Sequence, residues 1–297
     1  MILRQNVLKS LRFVPPRTLP FRTITSSSGT MSSCIKSWPH LTLYGDLNMR
    51  PFRNVWMLEE IGLSYHHVNC KPWSKIANSV HPLGKVPALV VKDDDNQQQF
   101  VVLESAAINT FLGDLAREIE GNKRTNDDFN NEPSILLVPP PATQLRAKYD
   151  SLTLFIMTEL DSQALWIHRK HNDLKDVFGE APVAVVEAKR QFENALDAIE
   201  LELNDESGYL LSSGFSACDI LLSNCCFWAQ QIGWLAKTPP SNESSSSTAG
   251  DTTISKSPTP KLASYLARCR RRNAFVKANE LRKDQANERK EHHRSKI

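Results

Sequence analysis

His81-Pro82-Leu83-Gly84-Lys85-Val86-Pro87-Ala88-Leu89, followed across a polar turn by Leu103-Glu104-Ser105-Ala106-Ala107-Ile108, decides how the first half of this chain folds. The stretch reads as strand, hairpin, strand and then the first turn of a helix. Val86 precedes a proline and is therefore biased to extended backbone. With a cis Val86–Pro87 bond, its main-chain groups turn outward and can pair with a peptide as an added strand. Beyond the hairpin, Ser105 opens a helix whose free amides and positive dipole end favour a carboxylate. Glu104 beside it can accept hydrogen bonds from an ammonium group. The ligand implied is a small peptide with a free carboxylate and a free amine.

Outward from this stretch, residues 41–45 form a short apolar strand, and a polar loop follows to Pro51. Val55, Leu58, Glu59 and Gly62 fall at helical spacing, with Gly62 as the C-cap. Residues 65–68 alternate as a second strand, and 71–80 read as irregular or weakly helical. Residues 86–91 and 100–103 are β-rich runs on either side of a polar turn, and 106–115 is helical. The order βαβ then ββα predicts an α/β thioredoxin-like domain over 40–118.

Residues 119–141, charged and Asn-rich before a triple proline, are expected as a linker. Helical periodicity dominates 142–280, with Tyr149, Leu152, Phe155, Ile156, Leu160, Ala164 and Leu165 at steps of three and four. A second helix is expected over 183–203. Ser216 and Asp219 pattern as a capping box, with Phe215 and Ile220 as its staple. The second domain is therefore predicted to be all-α. Within it, 237–260 is Ser/Thr/Pro-rich without periodicity and reads as a mobile surface insertion. Residues 281–297 read as a basic, solvated tail.

In sum, residues 41 to about 280 resemble the glutathione S-transferase family, in the family's domain order. The resemblance is carried by Leu43-Tyr44-Gly45, by Leu58-Glu59-Glu60-Ile61-Gly62-Leu63, by the 81–87 run and by Glu104-Ser105. Tyr209-Leu210-Leu211 with Phe215-Ser216-Ala217-Cys218-Asp219-Ile220, and Tyr265-Leu266-Ala267-Arg268 with Ala274-Phe275, extend it through the second half. The resemblance implies glutathione as co-substrate, with no metal or nucleotide cofactor, a hydrophobic electrophile as second substrate, and a homodimer. It implies Val86 for backbone pairing, Pro87 for its geometry, and Glu104 and Ser105 for the γ-glutamyl end. Lys85 or Lys71 is assigned to the glycyl carboxylate. The electrophile pocket is expected between the domains, around Tyr149, Phe155, Thr158 and Glu159.

Glutathione chemistry needs an ionised thiol, which a hydroxyl donor, a helix N-terminus or a cation can promote. The family supplies a Tyr, Ser or Cys in the loop after the first strand. Here that loop reads Asp46-Leu47-Asn48-Met49-Arg50-Pro51-Phe52-Arg53. One register puts Met49 at the serine position and another puts Arg50 at the cysteine position. Without a loop thiol, mixed-disulfide chemistry is disfavoured. For conjugation the catalytic candidates are Arg50, stabilising the thiolate, and Asn48, donating to it. The competing reading makes Asn48 a helix cap and leaves Arg50 and Arg53 solvated. A glutathione-binding or protein-interaction module without catalysis is the alternative function.

The formal charge of +3 conceals an uneven distribution. The first 31 residues carry five basic residues, and no acid precedes Asp46. Beyond them stand 31 basic against 33 acidic residues, which gives the body no reason to bind nucleic acid. From Arg268 onward the net charge is +7, but no aromatic residue follows Phe275. The Arg- and Ser/Thr-rich residues 1–31 pattern as a mitochondrial transit peptide. A plastid, or a cytosolic form starting at Met31, are the alternatives. No run of 18 apolar residues is present, so no integral membrane association is expected. The six cysteines lack metal-ligand spacing, and Cys218, Cys225 and Cys226 are expected to pack as small hydrophobes. The aspartates at 93–95 read as a solvated turn, and His66-His67 and His292-His293 as exposed or packing residues.

Overall fold

The computed structural model describes residues 39–92, 99–123, 136–237 and 255–294. The expected transit peptide, the 93–95 turn, Cys34 and most of the 237–260 insertion lie outside these residues. Six short elements of the first half build a four-stranded sheet and its helices. They are β1 (His40–Tyr44), α1 (Pro51–Ile61), β2 (His66–Val68), α2 (Lys75–Val80), and β3 (Ala88–Lys92) with β4 (Gln99–Leu103). The strand order is β2-β1-β3-β4, with β1 and β2 parallel and the other neighbours antiparallel. This is the thioredoxin-like plan expected from the sequence.

Helix α1 is the hub. Proline at its first position presets helical φ, and Gly62 ends it in a left-handed C-cap at φ 68° that donates its N–H to the Leu58 carbonyl. Every residue from Pro51 to Leu58 is buried, because sheet, α3 (Ser105–Lys123) and the later helices cover it from different sides. A helix enclosed in this way has no solvent face for its polar residues, so Arg53 and Asn54 must find partners inside.

The helical part runs α4 (Gln144–Phe155), a π-helical stretch Ile156–Leu165, α5 (Trp166–His168), a second π stretch Arg169–Asp173, α6 (Lys175–Phe178) and α7 (Pro182–Glu200). It closes with α8 (Ala217–Gln231), α9 (Pro260–Arg271) and α10 (Asn273–Arg294). The capping box at Ser216 and Asp219 is present, and Phe215 and Ile220 are both buried. Cys218, Cys225 and Cys226 are buried, and burial pushes their thiols upward in pKa, Cys225 to about 12. Cys226 packs as a small hydrophobe, whereas Cys225 Sγ accepts from Arg53 Nη2 at 3.5 Å and Cys218 Sγ lies 2.9 Å from Ser216 Oγ.

Four expectations change. Helix α3 continues past 115 to Lys123, and Leu137 and Val138, at the end of the expected linker, are core residues. Val138 seats against Gly113, where a Cβ would stand 2.3 Å from its Cγ2, and the Ala217 amide bonds the Leu137 carbonyl at 2.8 Å. At the end of the expected insertion, Ser255 bonds the Gly233 carbonyl, Lys256 bridges to Leu235, and Thr259 caps α9. Residues 281–294 are not a free tail. They belong to α10, which packs against α1. The basic run supplies intramolecular partners for Glu59, Glu60, Asp46 and the Phe52 ring.

Candidate functional site

Two walls meet at Gly45. A Cβ there would stand 2.4 Å from Pro51 Cγ and 2.9 Å from Val86 Cβ, and its φ of +139° suits glycine alone. Gly45 thus lets the end of β1 touch both the start of α1 and the residue before Pro87.

The first wall is the cradle. The Val86–Pro87 bond is cis. The β3 ladder to β1 and β4 ends at Ala88, paired with Tyr44 and Leu103. Among the described residues, the main chain of half-buried Val86 has no backbone partner. The antiparallel register, carried past Ala88↔Leu103, sets Pro87 and Val86 opposite Glu104 and Ser105. Glu104 is exposed and held at φ 68°, a left-handed conformation that costs a bulky residue roughly 1–3 kcal/mol and recurs at ligand sites. Its carbonyl accepts the Ile108 amide at 2.9 Å, which starts α3. The first-turn amides of α3 have no acceptor within the helix.

Ser105 is buried, and its hydroxyl accepts from Arg53 Nη1 at 3.3 Å. Its side chain therefore points to the interior, and its carbonyl accepts from Asn54 Nδ2 at 2.9 Å, leaving the Ser105 amide to the site. Lys85 and Lys71 are exposed. Buried His81 accepts the Leu83 amide on Nδ1 at 3.0 Å. Burial holds its pKa below the ordinary value against the pull of Glu104, with Lys85 adding to the lowering.

The second wall is the loop before α1. The Asn48 amide and Asn48 Nδ2 both donate to Asp46 Oδ1, at 2.9 and 3.2 Å. Asn48 is exposed and does not cap α1, whose N-cap is Arg50 without a side-chain bond. Neither arginine is simply solvated. Arg53 is fully buried and donates to Asp161 Oδ2 at 2.6 Å, Asn224 Oδ1 at 2.7 Å and Met157 Sδ at 3.4 Å. Arg50 donates through Nε to both oxygens of Asp161 at 3.1 Å and also through Nη2. Its guanidinium carbon lies 5.3 Å from the Trp166 ring and 5.5 Å from that of Trp228. The Arg50 side chain is 25% exposed, so one edge of this cation faces outward.

Asp161 carries the loop wall and was not among the sequence candidates. Burial would raise its pKa, but Arg53 and Arg50 overcome this and hold it below the ordinary value. Its signal was an acid on the apolar stripe beside Leu160, Ala164 and Leu165. Asp161 lies in the π-helical stretch 156–165 and is buried. Two arginines on one carboxylate leave a net charge of +1.

The expected electrophile pocket is differently built. Tyr149 is core and shares a hydrogen bond with Thr110 Oγ1 at 2.8 Å. Phe155 instead lines an open cavity of about 300 Å³ between α4 and α7. Thr158 is exposed, and Glu159 accepts from Gln191 at 3.0 Å. The aromatic groups beside the loop are Trp166 and Trp228, further along the chain.

Comparison with known proteins agrees with the fold. The family model described as the glutathione S-transferase N-terminal domain matches residues 51–115. Glutathione S-transferase 1 of Saccharomyces cerevisiae is 23% identical over 196 residues, covering 59% of this chain and 74% of the yeast protein. A glutathione transferase of Methylococcus capsulatus is similar in structure, with a TM-score of 0.55 and 22% identity over 82% of this chain and 98% of its own. The URE2P8 transferase of Phanerochaete chrysosporium, solved with oxidised glutathione, gives a TM-score of 0.58 at 16% identity, covering 85% and 99%. Among the described residues, no helix is long and apolar enough to cross a membrane.

Proposed function

On the premise that this chain has the N-terminal domain and the two-part fold of the glutathione S-transferases, we propose that it binds glutathione along Val86 and uses the thiolate against hydrophobic electrophiles. The observation that carries the reading is the main chain of Val86, without a backbone partner among the described residues, opposite the left-handed Glu104 turn and the start of α3. The cysteinyl backbone pairs with Val86, Glu104 receives the γ-glutamyl ammonium, and the α3 amides receive its carboxylate. Lys85 or Lys71 meets the glycyl carboxylate. The thiol gives its proton to solvent, and the net positive edge of the Arg50–Asp161–Arg53 group stabilises the sulfur anion. Asn48 Nδ2 supplies a second donor. The thiolate then forms the C–S bond as the leaving group departs from the electrophilic carbon.

Turnover of 1-chloro-2,4-dinitrobenzene tests this. Arg50→Ala is expected to lower kcat and move its alkaline-directed pH profile upward. An unchanged rate and profile in both Arg50→Ala and Asn48→Ala overturns the assigned roles. A second reading, glutathione binding without catalysis, is favoured by one observation: the loop offers Met49 and Arg50 where a hydroxyl or thiol is expected. Binding without turnover across a panel of electrophiles selects it.

The edge strand β4 exposes Phe100 and Val101, with Phe100 stacked edge-on to Phe111 of α3. This supports a homodimer, which light scattering tests. Mitochondrial import of the full chain is proposed from residues 1–31. It requires a product shortened near Thr23 in the organelle fraction, and full-length protein confined to the cytosol contradicts it.

A further inference from the structure

The C-terminal helix does two separate jobs. Its first half docks on the body of α1: Phe275 meets Phe52 and Trp56, with ring centroids 5.8 and 4.8 Å apart. Lys277 pairs with Glu59 at 2.7 Å, and Arg272, just before the helix, pairs with Glu60 at 2.6 Å. These contacts seat the first half of the helix on α1. Its second half reaches beyond α1 to the loop. Gln285 Oε1 accepts the Leu47 amide at 2.9 Å across 238 residues of chain. Arg289 donates to Asp46 Oδ2 at 2.7 Å and to Asn69 Oδ1, after β2, at 2.8 Å. Asp46 Oδ1 in turn holds Asn48.

Gln285 is buried, and its Nε2 has no hydrogen-bond partner among the described residues. A buried unpaired amide is destabilising, and an apolar side chain of similar shape would remove that cost. The carbonyl end, fixed on Leu47, accounts for a polar residue there. Burial would raise the Asp46 pKa, yet Arg289 and Asn48 hold it below the ordinary value, so its charge persists.

We infer that Gln285 and Arg289 are positioning residues for the glutathione site, clamping loop 46–50 so that Asn48 and Arg50 face the sulfur. The inference rests on the glutathione reading for its chemistry but not for its geometry. The clamp acts on the loop wall and leaves the Val86 cradle alone. It therefore governs kcat more than the KM for glutathione.

Two measurements on the full chain test it. Amide hydrogen exchange reads the clamp directly: in Gln285→Leu the Leu47 amide is expected to exchange at least about tenfold faster, while the interior of α1 keeps its protection. Unchanged Leu47 exchange overturns the clamp. In Arg289→Met, kcat is expected to fall about tenfold with the glutathione KM within about twofold, and Arg289→Lys to recover most of the loss. Wild-type kcat in both Arg289→Met and Gln285→Leu overturns the catalytic part, as does a loss confined to KM. A wild-type protein inert toward glutathione removes the proposed function instead, and the exchange comparison still decides the clamp.

Discussion

The two walls of the site are held by different forces. The cradle is built from neighbours in sequence: a strand end, a proline, a left-handed turn and a helix start, all within 86–108 and fixed by backbone geometry. The loop wall is built from residues far apart, with Arg50 and Arg53 meeting Asp161 more than 100 residues on, and Leu47 meeting Gln285. Backbone geometry tolerates the loss of a side chain. A buried charge network does not, because each member left alone carries its full desolvation cost. The loop wall is thus the vulnerable half, and side-chain deletions there should cost more than any in the cradle.

The sharpest break is Asp161→Ala. It strands the fully buried Arg53 cation, and the expected loss is about 3–5 kcal/mol in urea unfolding. A loss under about 1 kcal/mol would mean that Asn224 and Met157 suffice for Arg53 and that the contrast between the walls is false.

The seam between the walls comes next. Gly45→Ala forces a Cβ into Pro51 and Val86 at a φ that disfavours it, for an expected cost of about 2–3 kcal/mol. It should also weaken glutathione binding, since Val86 must move. Stability lost with affinity intact would separate Gly45 from the cradle.

Acid sharpens the comparison more gently. Asp161 and Asp46 have folded pKa values below the ordinary 3.8, set against burial by Arg53 and Arg50 in one case and by Arg289 and Asn48 in the other. The folded state therefore binds their protons less tightly than the unfolded state. Their contribution is present above about pH 3.8 and is lost as pH falls through the lower folded values. Melting curves between pH 6 and pH 2.5 should steepen in that window, and less so in Asp161→Asn. An identical acid slope in the variant would assign the loss to other groups.

The same division explains what could be read from the chain alone. Val86, Pro87, Glu104 and the α3 start are adjacent, and their spacing carries a backbone conformation, so sequence reasoning reached them. The βαβ then ββα succession and the capping box at Ser216 were legible for the same reason. Asp161 stands on the apolar stripe at three- and four-residue steps from Ala164 and Leu165, but the arginines that pair with it lie more than 100 residues upstream. The Trp166 and Trp228 rings, and the Gln285–Leu47 bond, depend on packing angles between helices. The basic C-terminal run read as solvated because its partners, Glu59, Glu60 and Asp46, lie more than 200 residues upstream. Sequence shows a charge but not what it will meet.

Calorimetric titration with glutathione tests the central claim most directly, comparing wild type with Glu104→Gln. Glu104 is exposed, so its substitution should move stability by less than about 0.5 kcal/mol. The account predicts measurable heat for the wild type and binding about tenfold weaker in the variant, the size of one lost charge-assisted hydrogen bond. Equal affinity in the two proteins, or no heat at millimolar glutathione in the wild type, would contradict it.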